Sequence, residues 1–286
     1  MALWPGGLLA LLIMLVSAVA AARSKYVRTW ALLLYYAWRI QSEVSRCKSE
    51  RDARAVYVML AKQWAAASLR LWDMMVEVEN IEAVPRGTPC LYLCNHQSAF
   101  DIPTLIHAVP EAFSFMPKRE IRSIPLLGSM LERTGHIFLD RSNPEVALRS
   151  MNEVVAPALQ DRSFLVFPEG TRSRHGIIPF KKGAFHMAIG AKTLIVPMAI
   201  AGADDIGALV GSADKADKII KIRFGTPLPV DGSEVASELL VRVRKEIIAL
   251  NKQLEGSGAQ PGTEEAHVAQ SGNPTKKGLI AGIFKF

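Results

Sequence analysis

Cysteine is scarce in this chain. The three present, Cys47, Cys90 and Cys94, form an odd set that supports no disulfide framework and fits a reducing compartment. Aromatic residues are also few, at 7% of 286 residues. They are not interleaved with basic residues as a single-strand binder requires, so no nucleic-acid partner is expected. Acidic residues are outnumbered, with Asp+Glu 27 against Lys+Arg 34 and a net charge of +7. That excess favours anionic partners such as phosphorylated metabolites and anionic lipid surfaces. No internal repeat is seen. With half the residues apolar and 21% charged, a disordered chain is excluded and one sizeable domain with appendages is expected.

Charge is wholly missing from Ala2 to Ala22. As one helix this segment would span roughly 31 Å, about the hydrocarbon thickness of a bilayer. Pro5, Gly6 and Gly7 weaken its first turn. It reads first as a spanning or half-inserted membrane helix. A cleavable signal peptide, with Ala18-Val19-Ala20 as its site but no basic n-region, and a buried core helix are the alternatives. Arg23, Lys25 and Arg28 follow directly. Then come Trp30, Tyr35, Tyr36 and Trp38, and after them Arg39, Arg46, Lys48, Arg51 and Arg54. Trp and Tyr favour the headgroup level, and Lys and Arg mark the cytoplasmic side. This second run suggests an interfacial helix or the second arm of a hairpin, or else an amphipathic helix packed on the domain.

Tyr57, Leu60, Trp64, Ala67, Leu71, Met74 and Val78 step by three and four, which predicts one helix from about residue 54 to 79. Short apolar runs then alternate with helical patterns. Strands are predicted at 90–94, 113–116, 136–139, 164–167, 194–200 and 219–224. A helix from Pro144 to about Gln160 has Asn143 as its N-cap. Another begins after Asp231, where Glu234 makes a variant capping box, and runs to about Leu254. The alternation predicts an α/β fold: a mixed, largely parallel sheet covered by helices. After Gly256 the composition becomes that of a flexible linker. The basic, apolar end from Lys276 to Phe286 suits membrane contact, docking on the domain, or a frayed tail. The chain thus divides into a membrane anchor segment (1–54), a catalytic domain (55–254), and a linker and tail (255–286).

Four segments carry chemistry. Asn95-His96-Gln97-Ser98-Ala99-Phe100-Asp101 follows the first predicted strand, where open α/β sheets place ligands. A tight loop would return the Asp101 carboxylate to the His96 imidazole and set its tautomer. Phe167-Pro168-Glu169-Gly170-Thr171-Arg172-Ser173 brackets a carboxylate between Pro and Gly after another strand. His136 to Leu139 ends in Asp140-Arg141, which a structural salt bridge would also explain. Val196-Pro197 lies in a buried strand. Ser98 as a nucleophile would need a triad geometry that the spacing does not supply. Cys90, Cys94 and His96 lack a fourth ligand at zinc spacing, so no metal is expected.

In this order the four segments resemble the glycerolipid acyltransferase superfamily, and most closely the 1-acylglycerol-3-phosphate acyltransferase family. The N-H-x-S-x-x-D block is met by Asn95, His96, Ser98 and Asp101. The D-R strand end is met by Asp140 and Arg141, the F-P-E-G-T-R-S block by 167–173 without change, and the V-P strand by Val196-Pro197. Lys118, with Pro125 and Gly128, is similar to the family's stretch between the first two blocks. The resemblance covers about residues 55–250. It implies a glycerol-phosphate acyltransferase-like fold, with an N-terminal membrane helix or helical hairpin. It implies transfer of an acyl group from acyl-CoA or acyl-carrier protein, as co-substrate and without a cofactor, to lysophosphatidate. The product would be phosphatidate, made at a membrane with the catalytic domain facing the cytoplasm. Another acceptor, such as glycerol 3-phosphate or a different lyso-lipid, or a non-catalytic membrane-binding role on this scaffold, are the alternatives. His96 would be the base and Asp101 its partner. Lys118, Arg141, Glu169, Gly170, Thr171 and Arg172 would bind substrate, with Asn95, Ser98, Phe167, Pro168, Val196 and Pro197 in support. Lys181 and Lys182 fit either a solvated face or contacts to the donor's phosphates.

Overall fold

The computed structural model describes residues 24–140, 142–173, 175–203 and 219–256. The apolar segment Ala2–Ala22, Arg141 and the tail beyond Gly256 lie outside the described residues.

In chain order the regular elements are α1 (Lys25–Val44), α2 (Glu50–Leu71), β1 (Met75–Glu79), β2 (Cys90–Cys94), α3 (Asp101–Ala108), β3 (Phe113–Phe115) and α4 (Leu127–Arg133). They continue with α5 (Pro144–Ser150), β4 (Ser163–Val166), α6 (Gly183–Ala191), β5 (Leu194–Ala201), β6 (Ile219–Phe224) and α7 (Ala236–Gly256). The strands form one sheet in the order β1-β6-β5-β2-β4-β3. Every pairing is parallel except β5 with β6. This is the mixed, largely parallel sheet that the strand–helix alternation predicts.

β2 is buried along its whole length because helices cover both faces of the sheet, which is why it reads as an unbroken apolar run. Cys90, Tyr92 and Cys94 face one core, shared with Ala37 and Ile40 of α1, Leu60 of α2 and Leu105 of α3. Leu91 and Leu93 face the other, shared with Phe185 of α6 and Val243 and Ile247 of α7. α1 packs on α2 and α4, so from residue 25 onward the described chain packs with the α/β body, and residue 54 falls inside α2. Among the described residues no helix is long and apolar enough to cross a membrane.

Three elements differ from the sequence expectation. The helix expected over 54–79 stops at Leu71, and Met75–Glu79 is a strand instead. Asp73 takes the left-handed conformation (φ 55°). The Met74 N–H reaches back to the Leu69 carbonyl at 3.0 Å and the Asp73 N–H to that of Arg70 at 3.1 Å, a Schellman-type stop at a position where Gly is usual. The run 136–139 is not a regular strand. An isolated bridge joins Leu139 to Lys118, the Ile137 N–H reaches the Phe115 carbonyl at 3.4 Å, and the His136 N–H turns back to the Leu131 carbonyl at the end of α4 (3.0 Å). Finally, the Asp231 carboxylate accepts from the backbone and hydroxyl of Ser233 (2.8 and 2.7 Å). That makes a local turn ahead of α7, which starts at Ala236. The Asn143 cap forms as expected, accepting from the Glu145 and Val146 amides. α5 then runs on through a π-helical turn, Met151–Val155, into Ala156–Ala158.

His136 is 4% exposed. Its Nε2 lies 3.0 Å from the Tyr57 hydroxyl and its Nδ1 3.2 Å from Thr134 Oγ1. Burial pushes its pKa down from 6.5 to about 3. The folded state therefore binds fewer protons than the unfolded state between those values, and the stability present above pH 6.5 is lost as pH falls towards 3. Relative to His136→Gln, wild-type stability should decline below pH 6.5 by about 1.4 kcal/mol per pH unit. Urea unfolding of both proteins at pH 7.5 and 5 checks this; a pH-independent gap would refute it.

Candidate active site

β2 and β4 are hydrogen-bonded neighbours, with Leu91 opposite Phe164 and Leu93 opposite Val166. Being parallel, they release the 95–101 loop and the 167–173 loop side by side at their C-terminal ends, where open α/β sheets place ligands.

Asn95 sets the height of the first loop. Its Nδ2 donates to the Ile200 carbonyl and its Oδ1 accepts from the Ile200 N–H, both at 2.9 Å. The side chain thus extends the β2–β5 pairing one step beyond the strand. Gln97 adds a second tie, its Oε1 accepting from the Ala203 N–H at 3.2 Å.

Asp101, the first residue of α3, is wholly buried (0% exposed). A buried carboxylate must be satisfied internally, and this one is. Its Oδ2 lies 2.6 Å from His96 Nδ1 and accepts the Gln97 and Ser98 amides at 2.6 and 3.0 Å. Nδ1 therefore carries a proton, and Nε2 is the nitrogen left to act as a base. Ser98 is used inside the loop: its hydroxyl accepts from the Phe100 N–H (3.0 Å) and reaches Asp101 Oδ1 (3.5 Å).

The second loop holds the first from the other side. Glu169 is 2% exposed. Its Oε1 accepts the His96 N–H at 2.8 Å and its Oε2 the Ile178 N–H at 3.1 Å. Burial pushes this carboxyl up, and the two amides pull the other way. The sequence expectation put Glu169 on the substrate; here Oε1 braces the 95–101 loop and Oε2 holds the Ile178 amide. Phe167 stacks on the His96 ring, with centroids 3.9 Å apart and planes at 11°. Pro168 takes the Lys181 N–H on its carbonyl, and the Ser173 N–H bonds the His96 carbonyl, both at 2.8 Å. Gly170 has φ +73°, and a Cβ there would come within 2.8 Å of Lys181 Cε. Thr171 is exposed and Arg172 half-buried on the same turn.

The remaining expected residues stand further out. Lys118 pairs with Glu120 at 3.2 Å and bridges to Leu139, which brings it to the Asp140 end of the third motif. Asp140 pairs with Arg119 at 3.2 Å and accepts from Ser142. Val196 and Pro197 lie opposite Tyr92 and Leu93, with the Gly225 N–H on the Pro197 carbonyl at 2.8 Å; they are architecture beneath the loop. Cys94 Sγ lies 3.8 Å from Asn95 Oδ1 and Cys90 Sγ 3.7 Å from Ser163 Oγ. The contributions of Gln97, Ile178 and the Ser173 amide were not foreseen. Backbone donors leave no trace in residue type, and only the Gln97 side chain could have been suspected.

Asn95→Ala strands a buried N–H and a buried carbonyl at Ile200. A loss of about 2–4 kcal/mol in stability is expected, read as a lower urea midpoint at unchanged m. An unaltered midpoint would show that water replaces the amide.

The family model described as Acyltransferase matches residues 75–201. The chain is 40% identical over 118 residues to the 1-acyl-sn-glycerol-3-phosphate acyltransferase of Cocos nucifera, covering 41% of this chain and 38% of that protein. It therefore spans less than half the length of that relative. Against the Homo sapiens 1-acyl-sn-glycerol-3-phosphate acyltransferase alpha it is 30% identical over 192 residues, covering 66% and 68%. The fold is that of the Thermotoga maritima 1-acyl-sn-glycerophosphate acyltransferase PlsC, with TM-score 0.63 and 22% identity over 84% of this chain and all of that one. With its two sequence blocks joined at the ends of β2 and β4, the chain belongs to the 1-acyl-sn-glycerol-3-phosphate acyltransferase family.

Proposed function

We propose that the chain moves a fatty acyl group from acyl-CoA or acyl-carrier protein to the sn-2 hydroxyl of 1-acyl-sn-glycerol 3-phosphate, forming phosphatidate. The observation that carries this reading is the 2.6 Å contact between His96 Nδ1 and the buried Asp101 carboxylate. An alcohol is a weak nucleophile at neutral pH. His96 Nε2 takes its proton as the oxygen attacks the thioester carbonyl. The tetrahedral oxyanion collapses with cleavage of the C–S bond, and the proton passes from the imidazolium to the leaving thiolate. Asp101 holds the ring while it is charged. Arg141, Lys118 and Arg172 are assigned to the acceptor's phosphate, and Gly170 and Thr171 to the turn beside the reacting carbonyl. A guanidinium can grip phosphate with two parallel bonds, so Arg141 ranks first among them.

The acceptor is a lipid, so the site works at a bilayer. Residues 1–23 are proposed as the inserted anchor and α1 as an interfacial helix, whose Leu34, Tyr35 and Trp38 are exposed. The arginines and lysines from Arg23 to Arg54 support a catalytic domain facing the cytoplasm.

His96→Ala should lower acyl transfer by about 10²–10⁴ while leaving the fold intact, and Asp101→Asn should lose most activity as well. Labelled acyl donor with a panel of lyso-acceptors is the assay; near-normal turnover by His96→Ala would sink the base assignment. Arg141→Ala should raise KM for the phosphorylated acceptor by roughly ten- to hundredfold and leave KM for the donor nearly unchanged. Equal effects on both substrates would speak against a phosphate contact. Full-length protein should resist carbonate washing, and removal of residues 1–23 should make it extractable. Release of the full-length chain would refute the inserted anchor.

A further inference from the structure

Away from the His96 loop, α1, α2 and α3 leave an open cleft of about 530 Å³. It is lined by Tyr36 of α1, by Lys62, Gln63, Ala66 and Arg70 of α2, and by His107 of α3. The α2 residues step by one, three and four, so they share a face. Ala66 leaves the floor open between Lys62 and Arg70. Two of the lining side chains are cations, one is an imidazole, and none is a carboxylate.

Lys62 is held in place without an ion pair of its own among the described residues. Lys62 Nζ donates to the Val109 carbonyl at the end of α3, at 2.9 Å. An ammonium has three donors, so two remain. Glu111, whose charge favours the Lys62 ammonium, is itself paired with Arg86 at 3.7 Å. Arg70 and His107 make no side-chain ion pair among the described residues. Partial burial pushes Lys62 down, and burial together with the Lys62 charge does the same to His107. An anion seated between these groups would relieve both effects.

We propose that this cleft binds the phosphomonoester headgroup of an anionic phospholipid, at a site separate from the acceptor's. The lipid source follows from the rim. Tyr36 packs edge-on against exposed Tyr35 at 5.2 Å, with exposed Trp38 one turn further along. Exposed Tyr and Trp settle at headgroup depth, which sets the cleft level with lipid phosphates. This placement rests on the membrane reading above. Asp101 and His107 stand six residues apart on α3, about 9 Å of helix rise. The lipid therefore docks on the far end of the helix that begins with the catalytic carboxylate.

The test uses the full-length protein in zwitterionic detergent, titrated calorimetrically with dihexanoyl phosphatidate, dihexanoyl phosphatidylcholine and inorganic phosphate. Wild type should bind two phosphatidates, one at each site. Arg70→Gln combined with His107→Gln should weaken one of them at least tenfold, with kcat and acceptor KM unchanged. If the acyltransferase reading alone fails, wild type binds a single phosphatidate and the double variant loses it. Retention of every site in the variant, or a raised acceptor KM, would overturn the proposal. So would equal binding of phosphatidylcholine at the variant-sensitive site. Displacement there by inorganic phosphate at equal concentration would replace the lipid with free phosphate.

Discussion

A carboxylate sealed from water has to find its hydrogen bonds inside the protein, and Asp101 imposes that requirement on the loop before it. Its oxygens gather the Gln97 and Ser98 amides and the His96 ring. The chain from residue 96 to 101 can meet that demand in few ways, so satisfying the acid also fixes the His96 ring. Everything around the pair serves to keep the loop from relaxing. Asn95 anchors its entrance to β5, α3 anchors its exit, and Glu169 holds its peptide bond from the neighbouring strand.

Two carboxylates thus flank one histidine with different tasks. Asp101 addresses the ring, and Glu169 addresses the backbone. The division follows from geometry, since β2 and β4 are adjacent and parallel and their loops rise together. It also explains why the second sequence block needs Pro and Gly around its acid. The Pro168 carbonyl and the left-handed Gly170 turn the chain sharply enough for Glu169 to point back towards β2 while Lys181 crosses the turn.

Much of this was legible in the sequence, for identifiable reasons. β2 and β5 are apolar runs, β6 alternates buried apolar residues with Lys221 and Arg223, and Asn143-Pro144 is a strong helix start, so these read correctly. The pairing of His96 with Asp101 was legible because both lie within one short loop. β1 was missed because Met74 and Val78 continue the helical step of α2 by coincidence. The stop between them depends on Asp73 adopting a conformation usually left to Gly. The alternation of Met75-Val-Glu-Val-Glu79 was the signal available. Its edge position is secured by Glu77 with Lys221 and Glu79 with Arg223, partners that are distant in the chain. The amide contacts of Glu169 were hidden for the same reason: its donors lie at residues 96 and 178.

The flat stacking of His96 on Phe167 carries a consequence for timing. Two neutral rings gain little from lying face to face, whereas a cation over an aromatic face is attracted to it. In the proposed reaction the imidazole gains a net charge when it takes the acceptor's proton and loses it when that proton is passed on. For that interval Phe167 turns from a passive wall into an attractive surface, and when the proton leaves, the attraction goes with it. A side chain with no ionisable group is thereby coupled to the proton's residence on its neighbour, and the first residue of the F-P-E-G-T-R-S block would take part in the proposed reaction only while it is half finished.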